Sequence, residues 1–146
     1  MTTVPTTHKT RSNVLHITLW IAQAIVAGMF MFAGLLKTLT PIAELSLMMP
    51  LAGDSPVLIR FIGIMEVLGA LGLILPAALR IAPRLTVLAA YGLTLTMVLA
   101  LLFHLVRGEI SATPITIVLG LLSVFIAWGR STKAPIKVSK RIFEVG

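Results

Sequence analysis

The chain has 146 residues, of which 58% are hydrophobic and 12% charged, with a formal net charge of +7 and no cysteine. Soluble domains are about 45–50% apolar and about 25% charged; with half that charge this chain cannot cover a water-facing surface, which excludes an ordinary soluble enzyme and a disordered protein. The missing cysteine excludes disulfides, thiol catalysis, iron–sulfur clusters and thiolate-bound zinc.

Residues 1–12 are polar and threonine-rich and read as a disordered tail. Beyond them, formal charge falls at the ends of long apolar runs. There are 25 uncharged residues between Arg11 and Lys37, 22 between Arg84 and Arg107, and 20 between Glu109 and Arg130. The 19 residues between Arg60 and Arg80 are interrupted only by Glu66. About 20 apolar residues of helix cross a hydrocarbon core about 30 Å thick, and in lipid the backbone must be satisfied within the segment. Runs such as Ile62-Gly63-Ile64-Met65 lack the alternation of a β-barrel. The chain therefore reads as an all-α integral membrane four-helix bundle over 13–131, with helices at about 13–36, 58–79, 84–106 and 111–129. The first run is too long for the apolar core of a cleavable signal.

The connections fit this reading. Pro83 suits the start of the third helix and Pro114 the first turns of the fourth, while Pro76 is expected to kink the last turn of the second. Between Thr38 and Pro56, Ile42, Leu45, Met48 and Met49 recur at helical spacing. Pro41–Met49 is read either as a short helix on the membrane surface or as a plain apolar loop. An even number of spans puts both termini on one side, with Lys9, Arg11, Arg80, Arg84, Arg130, Lys133, Lys137, Lys140 and Arg141; Lys37, Arg60 and Arg107 lie on the other. Nine basic residues against three predict cytoplasmic termini. The same asymmetry accounts for the basic charge without nucleic acid as a partner. Residues 132–146 read as a basic amphipathic tail that lies against anionic lipid.

Glu66 is the most informative side chain. A carboxylate in the hydrocarbon costs on the order of 2.5–3.5 kcal/mol on insertion scales, so it is expected inside the bundle, neutral or paired. Gly63, Glu66, Gly69 and Gly72 recur at spacing three, a small-residue face on which a neighbouring helix packs closely. Lys37 at the end of the first helix and His104 near the end of the third are expected within reach in the outer half of the bundle, with Arg60 and Arg107 around its mouth. Two roles stay open for Glu66: proton relay or recognition of a polar head group, and an ion pair that only fixes helix register. His104 suits proton handling but equally an interfacial hydrogen bond. One His and one Glu are too few for a metal site. His8 and His16 read as tail and boundary residues, and Gln23, Tyr91, Thr94 and Thr96 as groups that bond between helices or to backbone. No phosphate-binding loop, G-x-S-x-G or H-E-x-x-H motif is present.

Phe32-Ala-Gly-Leu-Leu-Lys37, Ile62-Gly-Ile-Met-Glu66-Val-Leu-Gly69-Ala-Leu-Gly72-Leu and His104-Leu-Val-Arg107-Gly108-Glu109, with Trp128-Gly-Arg130 at the close, resemble the DoxX-like family over roughly residues 17–131. The resemblance implies a small four-helix protein of the bacterial cytoplasmic membrane, linked to oxidoreductase complexes and to quinone. It places Lys37, Glu66 and His104 at positions where the family tends to carry polar residues. The fold is also similar to the four-helix core of vitamin K epoxide reductases, whose cysteine chemistry cannot be carried over to a chain without cysteine. The expected function is a redox-associated membrane subunit that binds a quinone or another lipophilic molecule. Glu66 and His104 would handle protons, and Lys37, Arg60 and Arg107 would line the ligand site. The alternatives are a non-enzymatic assembly partner or chaperone of a membrane complex, and a small oligomeric transporter or lipophile binder.

Overall fold

The computed structural model of the chain describes residues 7–136; residues 1–6 and 137–146, on which parts of the polar and basic tails fall, lie outside the described residues. Helix α1 covers Thr7–Leu39, the short helices α2 and α3 cover Ile42–Met48 and Pro50–Asp54, and α4 covers Pro56–Leu79. Helix α5 covers Pro83–Arg107; a single tight turn, Ile110–Ala112, then leads into α6, Thr113–Trp128, and a wider turn follows over Gly129–Lys133. The protein is all-α, with four helical stretches long and apolar enough to cross a membrane: Asn13–Leu39, Pro56–Leu79, Pro83–Arg107 and Ile110–Lys133.

Local sequence sets the helix ends. Helices α4, α5 and α6 each carry a proline in their first turn, where the missing N–H costs no intrahelical bond. Helix α5 stops at Gly108, whose φ of 70° ends the helix in a left-handed residue. Pro76 is accommodated within α4, which continues to Leu79.

The four long helices form a ring in which α1 packs on α4, α4 on α5, α5 on α6, and α6 back on α1. The core between them is built from Val26, Phe30, Ala70, Leu73, Ala90, Leu93, Met97 and Ile126. Large apolar side chains such as Phe32, Leu68, Leu88 and Leu121 point outward from every long helix. Water would not tolerate such a surface, whereas lipid solvates it. Lipid gives helices no hydrophobic reason to associate, so close packing of small residues and interhelical polar bonds hold the ring. The hydroxyls of Thr94, Thr96, Thr116 and Ser123 each donate to the carbonyl four residues back, so they remain within their own helices.

Between α1 and α4, the apolar segment that sequence spacing left open as helix or loop is helical. Leu45 and Ala52 are buried with Ile59 under Leu36, Ile42 and Met49. This small second core caps the end of the bundle opposite the chain termini, hereafter the far end. Arg60 ties the cap down by donating to the Lys37 carbonyl at 2.5 Å and the Thr40 carbonyl at 2.6 Å. A cation there satisfies carbonyls left open at the end of α1 and complements the helix dipole. Arg60→Met is expected to cost about 1–3 kcal/mol, the range for charge-assisted hydrogen bonds. Loss of amide-exchange protection over residues 38–55, with the four long helices unaffected, is the signature to measure.

Candidate functional site

The site starts from a close crossing of two helices. Gly34, Lys37 and Thr38 share one face of α1, and Gly63, Glu66 and Val67 share one face of α4. A methyl group built on Gly63 would stand 2.7 Å from the Lys37 Cβ and 2.9 Å from the Gly34 carbonyl oxygen; one on Gly34 would stand 2.7 Å from the Gly63 carbonyl oxygen. Only glycine at both positions permits this approach. Helical side chains lean toward the N-terminus of their helix, so Lys37 points from the far end of α1 down into the bundle. Its Nζ lies 2.6 Å from both Oε1 and Oε2 of Glu66.

Glu66 is 3% exposed and Lys37 14%. Glu66 stands ten residues into α4, about 15 Å along the helix axis from its start, where a carboxylate without Lys37 would be costly. Paired, they carry no net charge, and both carboxylate oxygens are satisfied. The ammonium has three N–H donors, and its residual exposure leaves it the more accessible partner. The interior position of Glu66 and its pairing with Lys37, both expected from the sequence, are present.

His104 is not part of this pair. Gly108 turns the chain back so that the Glu109 N–H donates to the His104 carbonyl at 2.9 Å, and the His104 Nδ1 lies 2.7 Å from the Glu109 carboxylate. Arg107 bonds the other Glu109 oxygen at 3.0 Å and Asp54 at 2.9 Å, with Phe103 beneath its guanidinium. Of the residues expected around the mouth, Arg60 therefore clasps the end of α1, and Arg107 joins the α3–α4 junction to the α5–α6 turn. The hydrogen bond from His104, followed by that from Arg107, holds the Glu109 carboxyl below the usual carboxylate range. A group whose pKa is depressed on folding adds stability at pH above its unfolded value of about 4.3 and loses it as pH falls through the folded value. Acidification below about pH 4 is thus expected to free the α5–α6 turn, read as faster amide exchange at residues 108–112, while Glu109→Gln removes that pH dependence.

At the opposite, near end the structure assembles a polar group that sequence reasoning did not single out. Arg130, read above only as a boundary cation, is 3% exposed. Its Nε donates to the Gln23 Oε1 at 2.6 Å, and the Gln23 Nε2 donates across to the Leu73 carbonyl at 2.8 Å. Its Nη1 faces the His16 Nδ1 at 3.1 Å, and its guanidinium lies over Trp20 at 5.3 Å. The signal was available in the spacing: Ser123, Ile126, Ala127 and Arg130 fall on one helical face, and all four are buried.

Among the described residues no group of three or more His, Asp or Glu side chains is placed to hold a metal ion. Two open surface depressions, of about 550 and 390 Å³, lie at the start of α4; Phe61 and Val57 line both, and Arg60 lines the smaller. No curated protein and no solved structure matches the chain. The sequence model of the DoxX-like family matches residues 21–126, a stretch that contains Lys37, Glu66 and His104 and the crossing that joins the first two. The chain belongs to the DoxX-like family.

Proposed function

We propose that this protein is a redox-associated membrane subunit that holds a quinone or a similar carbonyl-bearing lipophile at the far end of the bundle. The observation that carries the reading is the Lys37–Glu66 pair, a charge-neutral couple inside a membrane span with its ammonium partly accessible. Ionisable groups at that depth mark ligand sites and proton paths more often than accidents. The ammonium N–H not needed by Glu66 donates to a ligand carbonyl, and the carboxylate beside it serves the proton balance when that carbonyl becomes a hydroxyl. His104, held by Glu109 at the same end, relays the protons taken up from solvent. Arg60 and Arg107 frame the approach. The chain has no cysteine, so in this reading the electrons come from a partner redox protein. The setting is the bacterial cytoplasmic membrane with both termini inside, which the distribution of Lys and Arg supports.

The test uses the paired variant Lys37→Met with Glu66→Leu, which removes both charges together and so leaves no orphan. In lipid nanodiscs, a short-chain ubiquinone analogue is expected to bind the native protein at least about tenfold more tightly than this variant, a difference of about 1.4 kcal/mol. Equal affinities overturn the reading.

A second reading, an assembly partner of a larger membrane complex or of further copies of the chain, is favoured by one observation. Gly28, with Ala24 one turn before it, is exposed on α1, and no atom of another helix lies within 4 Å of where its Cβ would stand. Small residues on an open helix face allow close approach by another helix. This reading expects co-purification with another membrane protein that survives the paired variant and is lost in Gly28→Leu.

A further inference from the structure

We infer that the near end of the bundle is a binding site for a phosphate-type oxyanion, with Arg130 as its cation. The inference is independent of the far-end pair. Arg130 carries five N–H donors in a planar fork. One is used by Gln23, and the Nη1 edge is shared between His16 and the Ala134 carbonyl, the latter at 3.4 Å. The Nη2 is buried and has no partner among the described residues. Arginine cannot accept a hydrogen bond, so His16 accepts through Nδ1 and carries its proton on Nε2. Every partner the guanidinium has among the described residues is therefore neutral.

Its positive charge also has no counter-ion among the described residues. Glu66 is bonded to Lys37, Asp54 and Glu109 are bonded to Arg107, and Glu44 lies on α2 in the far-end cap. A buried charge without a partner is among the costliest arrangements a protein can hold, yet the local fold is arranged to keep it inside. The wide turn after Trp128, closed by the Ala134 N–H donating to the Gly129 carbonyl at 2.7 Å, keeps Arg130 on the inner face. Gly129 lets Leu19 pack where a Cβ would stand 2.5 Å from it. Wide turns of this kind recur at functional sites.

A second orphan lies at the same end. Thr86, in the first turn of α5, is fully buried, and its Oγ1 has no partner among the described residues. Thr94, Thr96, Thr116 and Ser123 bond the carbonyl four residues back; for Thr86 that carbonyl belongs to Ala82, outside the helix, and it already accepts from the Leu85 N–H. Helix α5 packs against the Gly129–Lys133 turn. An oxyanion would take the open Nη2 edge, displace the long Ala134 contact first, and accept from the Thr86 hydroxyl. Fork-to-oxyanion bonding is the strongest interaction that arginine makes. The rim favours a lipid as the source: Ile17, Ile21 and Trp128 are exposed for acyl chains, and Arg80 and Lys133 are exposed beside the head-group level.

The full-length protein in mild detergent is challenged with phosphatidylglycerol, phosphatidylcholine or inorganic phosphate, with retained lipid read by native mass spectrometry and thermal stability read in parallel. Phosphatidylglycerol is expected to be retained about tenfold or more over phosphatidylcholine. Arg130→Gln is expected to abolish that preference. Thr86→Val, which leaves every charge in place, is expected to weaken it severalfold and carries the test should Arg130→Gln fail to fold. Stabilisation by phosphatidylglycerol alone identifies a lipid site, and equal stabilisation by inorganic phosphate identifies a free oxyanion site. Equal retention of the two lipids by the native protein, with no stabilisation by inorganic phosphate, overturns the proposal, as does an effect of Thr86→Val on neither the lipid preference nor the phosphate stabilisation. A preference that emerges only in Glu144→Gln also overturns it, because the chain's own carboxylate would then be the counter-ion.

Discussion

Lys37→Met is expected to destabilise the protein by about 3–5 kcal/mol, the cost of leaving one member of a buried ion pair alone. The substitution strands a carboxylate that is 3% exposed and has both oxygens bonded to the lost ammonium. Glu66→Leu should cost less, about 1–3 kcal/mol, because Lys37 lies two residues from the end of α1 and is 14% exposed. A freed lysine can extend its stem to the membrane surface, whereas a carboxylate ten residues into α4 has no such route. The paired variant should recover most of the loss, since replacing a whole buried ion pair with apolar side chains of similar size is often neutral or better. Unfolding of the four proteins in mixed detergent micelles measures all three differences. Additive single effects would mean that the pair is not coupled.

Gly63→Ala and Gly34→Ala form the second large effect. Alanine in an exposed helix gains about 1 kcal/mol over glycine from propensity alone. At these two positions the new methyl meets backbone, the Gly34 and Gly63 carbonyl oxygens at 2.9 and 2.7 Å, and in the first case also the Lys37 Cβ. Backbone cannot rotate aside, so α1 and α4 must separate, which lengthens the 2.6 Å contacts between Lys37 and Glu66. A net loss of about 1–3 kcal/mol is expected, as for other overpacked interiors. Gly28→Ala on the same helix, where nothing lies within 4 Å, should be neutral or slightly stabilising. If all three substitutions behave alike, the close crossing is wrong.

Much of this architecture was readable before any coordinates. Charge-free runs give the spans because lipid penalises charge, and the three-residue spacing of Gly63, Glu66, Gly69 and Gly72 marks a buried face. The structure divides that face between two neighbours: Gly63 meets Lys37 and Thr38 of α1, while Gly69 and Gly72 meet Leu93 and Ala89 of α5. Lys37 and His104 were both readable as groups within reach of Glu66, because few polar side chains lie near that depth, and the structure selects Lys37. The partner of His104 was not, since it depends on a left-handed Gly108 that folds Glu109 back beneath the last turn of α5. Nor was the link from Arg107 to Asp54, which joins residues 53 positions apart through the placement of α3. Arg130 was hidden for a different reason: its periodicity matched the buried face of α6, but an arginine beside Trp128 also fits an ordinary membrane boundary. Only the wide turn at Gly129–Lys133, which has no clear sequence signal, distinguishes the two.

The contact between the Lys37 ammonium and the Glu66 carboxylate is most directly tested by solid-state NMR in lipid bilayers, on protein labelled with ¹⁵N at lysine side chains and ¹³C at glutamate carboxyls. A short-range Nζ–Cδ correlation that disappears in Lys37→Met is the expected result. A glutamate carboxyl that correlates with lipid acyl protons, and no lysine correlation lost on that substitution, would contradict it.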